Sequence, residues 1–267
     1  MRYLVSVVLA AALLASVPAY PRGMDRLPGS VSVEVVSEDG KTLLAVPHRD
    51  MRKSGTRIIK QYLEARRGET YGIVIRNRTS ERIGVVVAVD GRNIISGRRS
   101  ELANSEEMYL VNAWDEGRYD GWRTGRDTVH RFYFTDPGDS YSERTFHDAS
   151  AMGVIAVAVY REKERPVPEM KLRENAPAAP EADLSKKDAS PRAKEEAAGT
   201  GFGSAQYSPT VQMAFEPEAA AVQKVLMKYE WRETLCRKGV IRCGQETGNR
   251  LWDETDYAPF PPGCRGN

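Results

Sequence analysis

From Ser30 to Glu162 apolar residues recur at every second position, and this alternation constrains the fold more than any other feature. Val31, Val33 and Val35 alternate with Ser32 and Glu34. Tyr71, Ile73 and Ile75 alternate with Thr70 and Arg76, and His130, Phe132 and Phe134 with Val129, Arg131 and Tyr133. A period of two, rich in β-branched and aromatic side chains, predicts strands with one buried face. Ile83–Val89 and Met152–Tyr160 are apolar at nearly every position, which predicts central strands covered on both sides. Along one face of each the residues are small: Gly84 and Ala88, then Ala156 and Ala158. A second sheet, the C-terminal segment or another subunit can approach that face closely.

Turn chemistry separates the strands. Asp90-Gly91 between two apolar runs is a hairpin signal, Asp136-Pro137-Gly138-Asp139 is a second turn, and Asp39-Gly40 a third. Roughly eight to ten strands and no helix follow from this spacing. The expected fold is all-β: an antiparallel β-sandwich, jelly-roll-like or immunoglobulin-like, without the Cys–Trp–Cys pattern of true immunoglobulin domains.

The N-terminus carries a different pattern. Arg2 precedes an almost wholly apolar run from Leu4 to Val17, and Val17-Pro18-Ala19 places small residues before a cleavage point. At 1.5 Å per residue that run covers only about 21 Å, short of a bilayer core of roughly 30 Å. Residues 1–19 therefore read as a signal peptide, with an uncleaved anchor as the alternative, and the expected location is periplasmic, secreted or at the cell surface. Such a compartment permits disulfides. Of Cys236, Cys243 and Cys264, the pair Cys236–Cys243 closes the shortest loop and is the expected bond, stapling a hairpin end at Lys238-Gly239. Cys264 is left over.

Composition divides the rest. Residues 25–164 form the expected sandwich domain. From 165 to 201, Pro166, Pro168, Pro177, Pro180 and Pro191 lie among Ala, Glu, Lys and Ser, with little to bury; this predicts a disordered linker. In 202–267, Val211, Met213 and Phe215 alternate with Gln212 and Ala214, and Val225, Met227, Tyr229 and Trp231 with Leu226, Lys228 and Glu230. Alternation through Trp231 favours a C-terminal β-hairpin with a wide loop over a helix from Glu218 to Cys236. An irregular tail follows.

The stretches Tyr71–Thr79 and Arg82–Gly97, with Val89-Asp90-Gly91-Arg92-Asn93 at their centre, resemble a family of uncharacterised exported bacterial proteins. Gly121-Trp122-Arg123, Phe132-Tyr133-Phe134, Met152–Val159 and Lys228–Cys236 extend the resemblance. It implies that sandwich and C-terminal hairpin recur together, and it brings no activity.

A net charge of +2, from 39 Lys+Arg against 37 Asp+Glu, disfavours nucleic-acid binding on charge. His48, His130 and His147 fit no zinc-ligand spacing, and no nucleophile elbow or phosphate-binding glycine loop occurs; no cofactor or metal is expected. Asp136–Asp139 has too few spaced carboxylates for a calcium loop. One segment could recognise a glycan: Trp114, Tyr119, Trp122 and Arg123 are candidate ligand-binding residues, aromatic faces suiting sugar stacking. Asp115, Glu116 and Asp120 there are candidates for a glycoside-hydrolase carboxylate pair. The competing reading is that the tryptophans plug the ends of the sandwich. Arg49, Arg52, Lys53, Arg57, Lys60, Arg66 and Arg67 form a dense basic run suited to an anionic polysaccharide or an acidic protein patch, or merely to a solvated face. The expectation is an exported, non-enzymatic interaction or structural protein of the cell envelope. It would bind an envelope protein or itself through the C-terminal hairpin, with a carbohydrate-binding module as the alternative.

Overall fold

The structure, a computed structural model, describes residues 31–163 and 197–243. The expected signal peptide, most of the expected linker and the tail lie outside the described residues.

In chain order the strands are β1 (Val31–Ser37), β2 (Ala45–Lys53), β3 (Thr56–Ala65), β4 (Thr70–Asn77), β5 (Ile83–Val89), β6 (Arg92–Asn93) and β7 (Tyr109–Val111). Then come β8 (Glu116–Tyr119), β9 (Gly121–Arg123), β10 (Thr128–Thr135), helix α1 (Tyr141–Phe146) and β11 (Val154–Arg161). The last are β12 (Gly199–Thr200), β13 (Ala205–Tyr207), β14 (Gln223–Trp231) and helix α2 (Arg232–Arg237). One sheet runs β1-β4-β10-β12, with β8 on β4 and with β9 and β13 on β10. The other runs β2-β3-β14-β11-β5-β6, with β7 on β5. Their inner faces share one core, in which Val33, Ile73 and Phe132 of the first sheet meet Val87, Val157 and Met227 of the second. The fold is an all-β sandwich, as the alternation predicts.

The fully apolar runs are central. β11 lies between β5 and β14, and all seven residues of β5 are buried. Their small outer face is covered by the chain itself. Leu102 and Met108 pack with Val86, Ala158, Tyr160 and Ala221, and a Cβ on Gly84 would run into Met108 and the Phe215 ring. Burying this second face takes the hydrophobic contribution of about 25 cal/mol per Å² on both sides of the same strands.

Four expectations need correction. The C-terminal hairpin is absent. β14 pairs antiparallel with β11 and parallel with β3, so it is an interior strand of the second sheet. Val211–Phe215 is not its partner. Alternation records which side chains share a face and is silent on which strand lies alongside. The Cys236–Cys243 bond is present, but it joins α2 to the turn after it. The linker does not reach residue 201, because Ala198, Gly199, Thr200 and Gly201 are buried in the sandwich. Small residues that read as linker are small for packing: a Cβ on Gly201 would enter the Tyr133 ring, and one on Gly199 would meet Ser140 and Met152. Finally, helix α1 is capped by Ser140, whose side chain accepts from the Glu143 N–H. Ser-x-x-Glu is a capping signal that the strand alternation around it obscured.

Candidate functional site

The structure does not gather the candidate glycan residues on one surface. Trp122 is 2% exposed, packs against Phe132 and Tyr141, and donates its indole N–H to the Gly201 carbonyl at 3.0 Å. Tyr119 is buried beside Tyr109. Arg123 is consumed by the Tyr109 hydroxyl at 2.7 Å and by the carbonyls of Gly125, Arg126 and Ser208. Trp114 is 67% exposed and stands apart in a left-handed turn at φ 60°. The plug reading accounts for Trp122; an exposed aromatic platform is not formed.

The candidate carboxylates sit near arginines on the outer face of the first sheet. Arg76 bonds Glu34 at 2.7 Å and Glu116 at 2.8 Å, and Arg118 bonds Asp120 at 2.7 Å. Asp115 caps the Glu116 N–H. Asp120 and Arg118 line an open cleft of about 450 Å³ with Glu38 and Arg131, themselves paired at 2.6 Å. The Arg131 and Thr70 hydrogen bonds hold Glu38 below the usual carboxylate range. A second cleft of about 410 Å³ lies between Tyr133, Tyr141, Arg144 and Phe202. His130 is half-buried, stacked on Phe202 at 4.1 Å, with Nδ1 at 2.8 Å from the Gly203 carbonyl. Among the described residues no group of three or more His, Cys, Asp or Glu side chains could hold a metal ion.

The buried polar centre is one that sequence reading passed over. Asp90 turns the chain from β5 into β6 and is fully enclosed. Its carboxylate accepts the N–H of Gly153 at 2.8 Å, the N–H of Thr200 at 2.7 Å and the Tyr229 hydroxyl at 2.5 Å. Thr200 Oγ1 lies 2.7 Å from the Tyr229 hydroxyl and 2.8 Å from that of Tyr71. An ionised carboxylate only accepts, so the protons must run one way: Tyr71 donates to Thr200, Thr200 to Tyr229, and Tyr229 to Asp90. The Thr200 and Tyr229 hydroxyls then each donate once and accept once, and the Tyr71 hydroxyl, at the end of the row, donates. Burial pushes Asp90 up to about 6 against these donors, and pushes the Tyr229 and Tyr71 hydroxyls well above their ordinary range. The network joins both sheets and sets β12 in place. The signal was there: an Asp-Gly hairpin needs Asp only for its turn, yet this one lies between two runs buried on both faces.

Two surface features remain. One is the irregular segment after β13. Val211 is 87% exposed and Met213 62%, with Tyr207 exposed just before them. Among the described residues, the backbone N–H groups from Thr210 to Phe215 have no hydrogen-bond partner. The segment is held at its ends, by Thr210 Oγ1 on the Arg126 carbonyl at 2.8 Å and by Lys163 N–H on the Glu216 carbonyl at 2.8 Å. The other is the outer face of β2, β3 and β14, which is cationic. No helix among the described residues is long and apolar enough to cross a membrane.

Comparison with protein-family models, with curated proteins and with solved structures found no match.

Proposed function

We propose that this chain is an exported, non-enzymatic interaction protein of the cell envelope that self-associates through the irregular segment Ser208–Glu216. The observation that carries the reading is the exposure of Val211 and Met213 on a segment outside the sheets, whose backbone N–H groups from Thr210 to Phe215 have no partner among the described residues. Unpaired strand-like backbone is a template for another strand, and natural proteins blunt such edges with charge. Here the nine residues Tyr207–Phe215 carry no charge, in a chain whose residues are 28% charged. A two-fold axis would set the segment against its own copy with no like charges opposed, which favours a second copy over a charged partner. The apolar N-terminal run and the Cys236–Cys243 bond support the compartment.

Sedimentation of the mature protein over a wide concentration series tests this. Concentration-dependent dimerisation, abolished by Met213→Lys, is the expected result. A monomer throughout would overturn it, and cross-linking in the envelope to a different protein would transfer the segment to that partner.

A further inference from the structure

The two sheets treat charge differently on their outer faces. On the first, Arg76, Arg118 and Arg131 all pair with Glu34, Glu116, Asp120 or Glu38. On the second, the register places Arg49 opposite Lys60 and Lys60 opposite Leu226, with Lys53 and Lys224 on the same face. Among the described residues none of Arg49, Lys53, Lys60 and Lys224 has an ion pair. Ile58, Met51 and Leu226 lie between them, half-buried. The β5–β11 half of this face is covered by the chain's own irregular segments; among the described residues no such segment lies over the β2–β3–β14 half.

The chain leaves the described structure beside that half. α2 packs on β14 and β3, and Arg232 and Lys238 pair with Glu64 and Glu230, which share this outer face. The disulfide ties Cys243 to α2. Beyond it, residues 244–267 hold four acids and two arginines, and Trp252-Asp253-Glu254-Thr255-Asp256-Tyr257 sets three acids between two aromatics. Nine residues of extended chain reach about 30 Å. The row from Glu230 back to Lys224 spans about 20 Å at 3.3 Å per residue. We infer that the acidic tail of this same chain, which carries Asp253, Glu254 and Asp256, docks on the outer face of β2, β3 and β14, where Lys60 and Lys224 have no ion pair among the described residues.

Zero-length carbodiimide cross-linking of the full-length oxidised protein, read by mass spectrometry, tests the docking. The Lys238–Glu230 pair, 2.5 Å apart, is the internal control. Links from Lys60 or Lys224 to the tail acids, within one chain and lost at high salt, are expected. With the control link formed and no such links, the inference fails. In a mixture of isotopically heavy and light protein, heavy–light links alone would assign the face to a second copy and overturn docking within one chain. Segment Ser208–Glu216 is untouched here, so this result and the self-association test stand apart. As a second measurement, Asp253→Asn with Glu254→Gln and Asp256→Asn uncovers the face, and binding of dextran sulfate should tighten by about tenfold. Unchanged binding would show that the tail does not cover it.

Discussion

The Asp90 carboxylate holds the backbone N–H of Thr200 at 2.7 Å across 110 residues of sequence. That bond, with Tyr229 on the same carboxylate, fastens β12 and β14 to the β5–β6 turn. Asp90→Asn keeps the shape but points an amide donor at a donor. It should cost about 2–3 kcal/mol, and Asp90→Ala more, because buried N–H groups lose their acceptor. Urea denaturation followed by tryptophan fluorescence measures both. A loss below half a kcal/mol in each would mean the network does not hold the sheets.

The same residue predicts a pH dependence. Its folded value of about 6 lies above its ordinary 3.8, so the neutral form is favoured in the fold. The stability it contributes is fully present below about pH 4 and is lost as pH rises through 6. A little over two pH units corresponds to about 3 kcal/mol at ~1.4 kcal/mol per unit. Glu38 and Asp50, held low by Arg131 and Arg57, act in the opposite direction. The readout is therefore the difference between the native protein and Asp90→Asn from pH 4 to 7. A constant difference would contradict the assignment.

The two tryptophans of the candidate glycan segment should behave oppositely. Trp122→Ala empties a core position and should cost about 3–5 kcal/mol. Trp114→Gly removes an exposed side chain at φ 60° and should be neutral or stabilising by up to about 1 kcal/mol. Thermal unfolding of each variant decides. Equal, small effects would place both at the surface.

Gly84 makes room for Phe215 and Met108. Gly84→Val should cost about 1–3 kcal/mol by overpacking and should loosen the segment that precedes β14. Faster proteolytic cleavage between residues 208 and 220, with slow cleavage elsewhere, is the expected pattern.

Alternation and turn chemistry determined the all-β class, the central strands read at Ile83–Val89 and Met152–Tyr160 (Val154–Arg161 in the structure) and the Asp90-Gly91 hairpin, because a period of two and a positive-φ turn are local properties. Small residues on the outer face of β5 and β11 told of a close cover, which proved to be Met108, Phe215 and Ala221. The Cys236–Cys243 pair was legible from loop length. Tertiary structure alone decided the rest. Val211–Phe215 and Val225–Trp231 share one pattern, yet one is exposed and the other is an interior strand, since burial depends on which strands lie alongside. Trp122 and Trp114, eight positions apart, carry the same side chain into the core and into solvent. Asp90, Thr200, Tyr229 and Tyr71 are distant in sequence. Only the packing of two sheets, which removes water from all four at once, makes a single hydrogen-bonded chain of them.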